Sequence, residues 1–161
     1  MGDPFEALGL PRVWPLDVQA VRGAQRRAVA AWHPDRFADP ARRSEALARV
    51  AELNEAAARL LDPIGCAQAL LDTLAPIPRP SEPRPAPAFL AAMLEMREAI
   101  DGGDDPAGVA TELAGHRARA ESDARAAFGQ LTAGRTEAWA VAAEALGRLR
   151  ALRRAQEEAA R

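Results

Sequence analysis

Apolar side chains recur every three or four residues along most of the 161-residue chain, and this spacing predicts amphipathic α-helices. No stretch keeps the alternation of apolar and polar residues that is typical of a strand. Acidic residues followed by proline repeatedly precede the apolar stretches. Such pairs mark helix starts, because the carboxylate caps the first turn and proline fits the first helical position. The pattern therefore predicts an all-α fold.

The first part of the chain, residues 1–75, predicts four helices in the order short, long, long, short. The residues that cap or begin them are, in chain order, Asp3-Pro4, Asp17, Asp39-Pro40 and Asp62-Pro63. The two long helices are predicted to pack through the apolar stripes Val18, Val21, Ala28, Val29 and Trp32, and Leu47, Val50, Leu53, Ala57 and Leu60. The short connection between them favours an antiparallel hairpin.

Prolines separate the chain into two parts. Six of the thirteen lie between residues 76 and 87, which excludes a helix or a central strand and predicts a stiff, polyproline-like linker. Residues 88–161 then predict three helices, over about 88–101, 106–131 and from Gly134 onwards, and their short connections favour an antiparallel bundle. We therefore expect two domains, residues 1–75 and 88–161, joined by the linker 76–87.

Composition excludes several functions. The 21 basic against 23 acidic residues give a net charge of −2, which provides no general positive field for a nucleic acid or an anionic membrane. The single cysteine, Cys66, excludes an internal disulfide, and we expect it to be buried among apolar neighbours. No apolar run approaches the roughly 20 residues of a membrane span. We expect a cytoplasmic protein that binds neither nucleic acid nor membrane.

The tripeptide His33-Pro34-Asp35 predicts the end of the second helix, because Pro34 lacks an amide donor and disfavours a helical conformation at His33. The loop that follows presents an imidazole beside a carboxylate. Upstream, Arg22 and Arg26 share one helical face and make this region electropositive. On these residues alone, a simple cap and turn between two helices is favoured over a binding site as the interpretation of the tripeptide.

The first predicted helix of the second part carries two leucines outside its core stripe. The stripe consists of Phe89, Met93, Met96 and Ile100. At 100° per residue, Leu90 and Leu94 lie about 100° to 140° from Phe89 and beside acidic residues. Two interpretations remain open: the leucines pack under the linker or the first domain, or they form a binding surface.

These features together resemble a known family. A His-Pro-Asp tripeptide between two antiparallel helices, after a short capped helix and before a fourth, is the arrangement of J-domain co-chaperones, which residues 1–75 resemble along their length. The resemblance is closest to the HscB branch. The segments that carry it are Asp3-Pro4-Phe5-Glu6-Ala7-Leu8-Gly9-Leu10-Pro11, Leu16-Asp17, Trp32-His33-Pro34-Asp35-Arg36-Phe37, Leu53-Asn54-Glu55-Ala56, Leu61-Asp62-Pro63, Phe89-Leu90, Glu95-Met96-Arg97-Glu98, Trp139 and Leu149-Arg150.

The resemblance implies a co-chaperone and not an enzyme, with no cofactor and no metal. HscB-like proteins bind the iron–sulfur scaffold IscU with the C-terminal bundle and deliver it to an ATPase chaperone of the HscA/DnaK type, whose ATP hydrolysis the J-domain and the scaffold stimulate together. Carried over, the chaperone-binding residues are His33, Pro34, Asp35, Arg22, Arg26 and Arg27. The scaffold-binding residues are Leu90, Ala91, Leu94, Glu95, Glu98 and Ala151.

Three positions depart from the family pattern. Gln25 stands where J-domains usually have an aromatic residue, and we expect looser packing of the hairpin or a weaker chaperone contact there. Ala91 and Ala151 stand where relatives often have Met and Phe, so we expect a smaller scaffold face and a lower affinity.

Two other functions are compatible with the same residues. One is a J-domain adaptor for a general chaperone with another client, in which Leu90 and Leu94 would have no role in binding. The other is a hydrolase in which His33 and Asp35 act as a general-base pair. The second lacks a recognisable nucleophile or oxyanion donor in the sequence.

Overall fold

The computed structural model describes residues 2–103 and 105–160, and every regular element in these ranges is a helix. Seven α-helices are present there: α1 Pro4–Leu8, α2 Val18–Ala31, α3 Pro40–Leu61, α4 Pro63–Thr73, α5 Pro87–Gly102, α6 Pro106–Thr132 and α7 Trp139–Ala159. Two short 3₁₀ turns lie at Pro34–Arg36 and Thr136–Ala138. The predicted all-α fold class is confirmed.

The chain divides into two compact units, Met1–Thr73 and Leu74–Arg161. The first contains α1 to α4, and the second contains the proline-rich segment and α5 to α7. In the first unit, α2 and α3 form the predicted hairpin, and α1 and α4 pack against α3. In the second unit, α6 and α7 make the most extensive contact, and α5 packs beside them.

The capping signals act as the sequence predicts. The carboxylate of Asp3 accepts the backbone N–H of Phe5 at 2.9 Å, and that of Asp17 accepts the N–H of Ala20 at 3.0 Å. Asp39 accepts a backbone N–H in the first turn of α3 at 2.9 Å. Each carboxylate satisfies a donor that has no partner within its own helix, which fixes where the helices begin.

The core of the first unit contains Phe5, Trp14, Val21, Leu53, Leu60 and Leu70, together with Cys66 as predicted. The indole Nε1 of Trp14 donates to the carbonyl of Pro63 at 2.8 Å, so the loop before α2 is tied to the start of α4. This hydrogen bond satisfies the polar atom of a buried aromatic side chain.

Two residues of the predicted hairpin stripes are not in the core. Leu47 is 57% exposed and Val18 is 43% exposed. The buried face of α3 instead passes through Ala46, which lies about 20° from Leu53 around the helix, whereas Leu47 lies about 120° away. Val18 is the first residue of α2. The predicted apolar stripe of α2 is also wider than the face that the fold buries, because Ala28, Val29 and Trp32 are only half-buried.

The core of the second unit confirms the predicted stripes of the two long helices. Val109, Leu113, Ala120, Ala124, Phe128 and Leu131 of α6 are all buried, as are Trp139, Ala142, Leu146, Leu149 and Leu152 of α7. The predicted stripe of α5 is only partly confirmed: Met96 is the one buried side chain of the helix among the described residues, whereas Phe89, Met93 and Ile100 are half-buried. The helix therefore lies on the α6–α7 pair as an outer helix.

Candidate partner-binding surfaces

The His33-Pro34-Asp35 tripeptide forms a tight corner between α2 and α3. His33 has extended backbone angles, φ −62° and ψ 129°, and its Nδ1 accepts the backbone N–H of Asp35 at 3.3 Å. Pro34 begins one turn of 3₁₀ helix, where the sequence predicted only a loop. The side chains of His33 and Asp35 are 55% and 88% exposed, so both face solvent at the end of the hairpin.

Side chains flanking the tripeptide hold this corner in place. The rings of Trp32 and Phe37 lie 6.1 Å apart, and the guanidinium of Arg42 lies 5.9 Å from the Phe37 ring. Arg43 donates through Nη2 to the carbonyl of Phe37 at 3.3 Å. Sequence reasoning missed these contacts. The presence of an aromatic residue on each side of the tripeptide, at Trp32 and Phe37, could have indicated their contact, whereas the contact of Arg43 depends on the bend of the chain.

A basic surface leads along α2 to this corner. Arg22, Arg26 and Arg27 are all exposed, while Val21 and Ala24 on the other side of the helix are buried. Residues 18–31 contain no acidic side chain, so no carboxylate of α2 itself offsets the three positive charges. The six residues assigned to chaperone binding thus lie along one helix and the turn that ends it.

Gln25 occupies the position where an aromatic residue is usual, and it makes a polar contact across the hairpin. Its Nε2 donates to Oδ1 of Asn54 at 2.8 Å, joining the middle of α2 to the middle of α3. A hydrogen bond therefore links the two helices at this point. The expected loosening of the hairpin is opposed by this contact.

A second candidate surface lies on α5. Leu90 is 47% exposed and Leu94 is 59% exposed, which confirms that both lie outside the core stripe. Ala91, Glu95 and Glu98 are exposed on the same side of the helix or next to it. Two protruding leucines beside carboxylates form a small apolar patch with an acidic rim, a composition suited to a partner with an apolar centre and basic surroundings.

Ala151 of α7 is half-buried. A Cβ atom placed on Gly147 would lie 3.4 Å from Cγ of Pro85, two residues before α5, and eleven residues later along α7, Glu158 lies 3.8 Å from Arg97 of α5. The two helices therefore run in the same direction. Ala151 and Leu90 each lie seven residues before a member of this ion pair, so Ala151 shares a helix face with Glu158 and Leu90 shares one with Arg97.

The imidazole and the carboxylate of the corner lie close together in the open. His33 Nδ1 and Asp35 Oδ2 are 3.6 Å apart, and both side chains are exposed to water. Within residues 2–103 and 105–160, no three His, Cys, Asp or Glu side chains are grouped so as to hold a metal ion. None of the described helices combines the length and the apolar character needed to cross a membrane.

The buried thiol of Cys66 is a weaker acid than a free thiol. Burial raises the pKa of Cys66 from its ordinary value of 9.0 to about 11, a backbone contact at Leu16 opposes this, and the nearby charge of Asp62 adds to it. A thiol with a raised pKa is protonated and weakly nucleophilic at neutral pH. Cys66 is thus a packing residue, as its apolar neighbours in the sequence predict.

This chain is similar to known proteins in fold and, over part of its length, in sequence. The chaperone HscB from Vibrio cholerae matches with a TM-score of 0.74 and 24% identity, over 99% of this chain and 96% of that chain. The co-chaperone protein HscB homolog of Bordetella petrii is 38% identical over 115 residues, which are 69% of this chain and 67% of that protein. No protein-family profile matches the chain.

Two further co-chaperone protein HscB homologs match a shorter part. Those of Bordetella avium and Chromobacterium violaceum are 37% and 35% identical over 102 residues, or 62% of this chain. The matched segments cover 61% and 58% of these two proteins, less than two thirds of each.

The fold and these relatives place the chain in the class of J-domain co-chaperones, with a four-helix unit followed by a helical bundle. Within that class, the chain belongs to the HscB family. The family resemblance inferred from the sequence motifs is thereby confirmed.

Proposed function

We propose that this protein stimulates the ATPase of an HscA/DnaK-type chaperone and delivers an IscU-type iron–sulfur scaffold to it, so that clusters are transferred to recipient proteins. The protein performs no catalysis of its own in this function. It binds two partners at once, one through each compact unit.

The exposed His33-Pro34-Asp35 corner is the observation that carries the proposal. The corner is rigid, since a proline, a 3₁₀ turn and the aromatic pair of Trp32 and Phe37 all restrain it. A rigid polar corner loses little conformational entropy on binding. The arginines of α2 lie beside it and favour encounter with an acidic partner surface.

The α5 surface supports the second half of the proposal. Leu90 and Leu94 are large apolar side chains that the second unit leaves exposed, and Glu95 and Glu98 border them. Exposed apolar groups surrounded by charge are typical of protein-binding sites. The small side chains of Ala91 and Ala151 limit the apolar area, which favours a reversible complex over a permanent one.

The test is single-turnover ATP hydrolysis by the chaperone from the same organism. The reaction is measured with this protein alone, with the scaffold alone and with both, and His33→Gln serves as the matched control. We expect synergy, a rate with both that exceeds the sum of the two separate increases. Stimulation without synergy would instead support a general J-domain adaptor with another client, and no stimulation by the wild-type protein would overturn the proposal.

A further inference from the structure

The proline-rich segment packs against α7 and is part of the second unit. Glu82 accepts from Arg79 within the segment at 3.2 Å, and its other carboxylate oxygen accepts from Arg150 of α7 at 3.5 Å. The guanidinium of Arg79 also lies 5.7 Å from the centre of the Trp139 ring. The residues predicted as a stiff linker between two domains therefore contact α7 of the second unit.

The segment ends directly at α5, whose other contacts include the ring of Phe89 against His116 of α6, with centroids 6.5 Å apart, and the ion pair of Arg97 with Glu158 of α7. Ala86, the residue that caps α5, provides no side-chain hydrogen bond, and Met96 is the helix's one buried side chain among the described residues. The N–H of Leu90 bonds to the carbonyl of Ala86 at 3.1 Å, so Leu90 belongs to the first turn after the segment. A displacement of Ala86 would therefore move Leu90 with it.

Close packing joins the same stretch to α7. The position of Cγ of Pro85 is 3.4 Å from where a Cβ atom of Gly147 would lie, so the proline ring contacts the backbone of α7. Glu82 is held to the same helix three residues further along, at Arg150. The segment is thus fixed at three points of α7, and one of them, Arg150, directly precedes Ala151 in the chain.

We infer that Glu82 is a positioning residue, and that segment 79–85 is a strap which holds the first turn of α5 against α7 and keeps Leu90 in register with Ala151. The inference rests on the proposed function, because it takes the scaffold to be the protein that binds Leu90 and Ala151. Glu82 itself lies outside the scaffold-binding residues. Its effect is to preorganise them, which lowers the ordering cost of binding.

The experiment compares Glu82→Gln and Arg150→Gln, singly and together, with the control Glu121→Gln in the full chain. Glu121 pairs with Arg117 on α6 at 2.7 Å, so the control removes the same charge from another ion pair of the second unit. Two measurements are made: amide hydrogen exchange of residues 88–96, and calorimetric titration with the scaffold at low and high salt.

We expect faster exchange in the first turns of α5 for each strap variant, with unchanged exchange in the core of α6. Scaffold affinity should fall about two- to fivefold, the range for a partly exposed ion pair, and the double variant should lose no more than the larger single loss. High salt should reduce the difference from the wild type. The control should leave both measurements unchanged.

Unchanged exchange of α5 in Glu82→Gln would overturn the strap, and so would additive losses of affinity in the double variant. A wild-type protein that fails to bind the scaffold while the strap variants still accelerate exchange would overturn the proposed function and leave the strap supported. The two failures are therefore distinguishable.

Discussion

The side-chain amide of Gln25 donates a 2.8 Å hydrogen bond to Oδ1 of Asn54 and links the two long helices of the first unit at mid-length. An aromatic ring at this position would stabilise the hairpin by apolar contact. Here a directional polar contact does so. The strength of the link therefore depends on both partners being present.

Replacement of Gln25 by Ala should lower the free energy of unfolding by about 0.5 to 1.5 kcal/mol, the usual net contribution of one hydrogen bond. The measurement is urea unfolding followed by circular dichroism. Gln19→Ala is the matched control, since Gln19 is an exposed glutamine of the same helix. Asn54→Ala combined with Gln25→Ala should cost less than the sum of the single losses, and additivity would show that the two side chains do not interact.

A His33→Gln variant should remain folded and lose stimulation of the chaperone ATPase. The His33 side chain is exposed and the hydrogen bond that it accepts from the N–H of Asp35 is local, so the change in unfolding free energy should stay within about 0.5 kcal/mol. Thermal melting checks the fold, and single-turnover ATP hydrolysis checks the function. Wild-type stimulation by the folded variant would show that the corner does not dock on the chaperone.

Charge reversal of Arg26 and Arg27 to Glu should slow association with the chaperone, with a smaller effect on dissociation. Complementary charge acts mainly on the encounter rate and is screened over roughly 8 Å at physiological ionic strength. The matched control reverses Arg119 and Arg125, two exposed arginines of α6. Stopped-flow association at several salt concentrations is the measurement, and a wild-type rate that does not change with salt would argue against electrostatic docking.

Sequence periodicity predicted the bundle better than the hairpin. Every member of the α6 stripe is buried, because the two long helices α6 and α7 pack against each other more extensively than any other pair. In α3, six residues separate Leu47 from Leu53, which places Leu47 about a third of a turn away from the buried face. Ala46 takes the buried position, and its small side chain gives a weak hydrophobic signal in the sequence.

Contacts between residues that are far apart in the chain could not be predicted from the sequence. The pairing of Glu82 with Arg150 joins residues 68 positions apart, and the bond from Trp14 to Pro63 spans 49. Neither follows from local propensity, because each requires that packing has already brought the segments together. The position of Leu90 and Leu94 outside the core stripe was predictable, since it depends only on the angle around one helix.

Cys66 should make stability fall as the pH rises from about 9 to about 11. Its pKa is raised to about 11 in the folded protein, so the folded thiol keeps its proton while the unfolded thiol loses it. The protonated thiol therefore makes its full contribution to the free energy of unfolding below pH 9, and on the order of 2 kcal/mol of that contribution is lost between pH 9 and pH 11. The chain has no Tyr and no Lys, so it contains no other type of side chain whose ordinary pKa lies between 9 and 11. Denaturant unfolding from pH 8 to 11 measures the slope, which should disappear in Cys66→Ala.

The combination of Leu90→Ala and Leu94→Ala should weaken scaffold binding by more than about 1 kcal/mol, or more than about fivefold in Kd, because both leucines become desolvated in the complex. Alanine is a strong helix former and the two side chains are about half exposed, so α5 should persist.

The matched control for the leucine pair is Val141→Ala, which truncates another exposed apolar residue of the second unit. Titration calorimetry with the scaffold measures affinity, and thermal melting reports on packing. Stimulation of the chaperone by this protein without scaffold should be unaffected, because it depends on the corner at His33. An unchanged Kd in a folded double variant would remove α5 from the scaffold site. A large drop in Tm would instead assign the two leucines to the core.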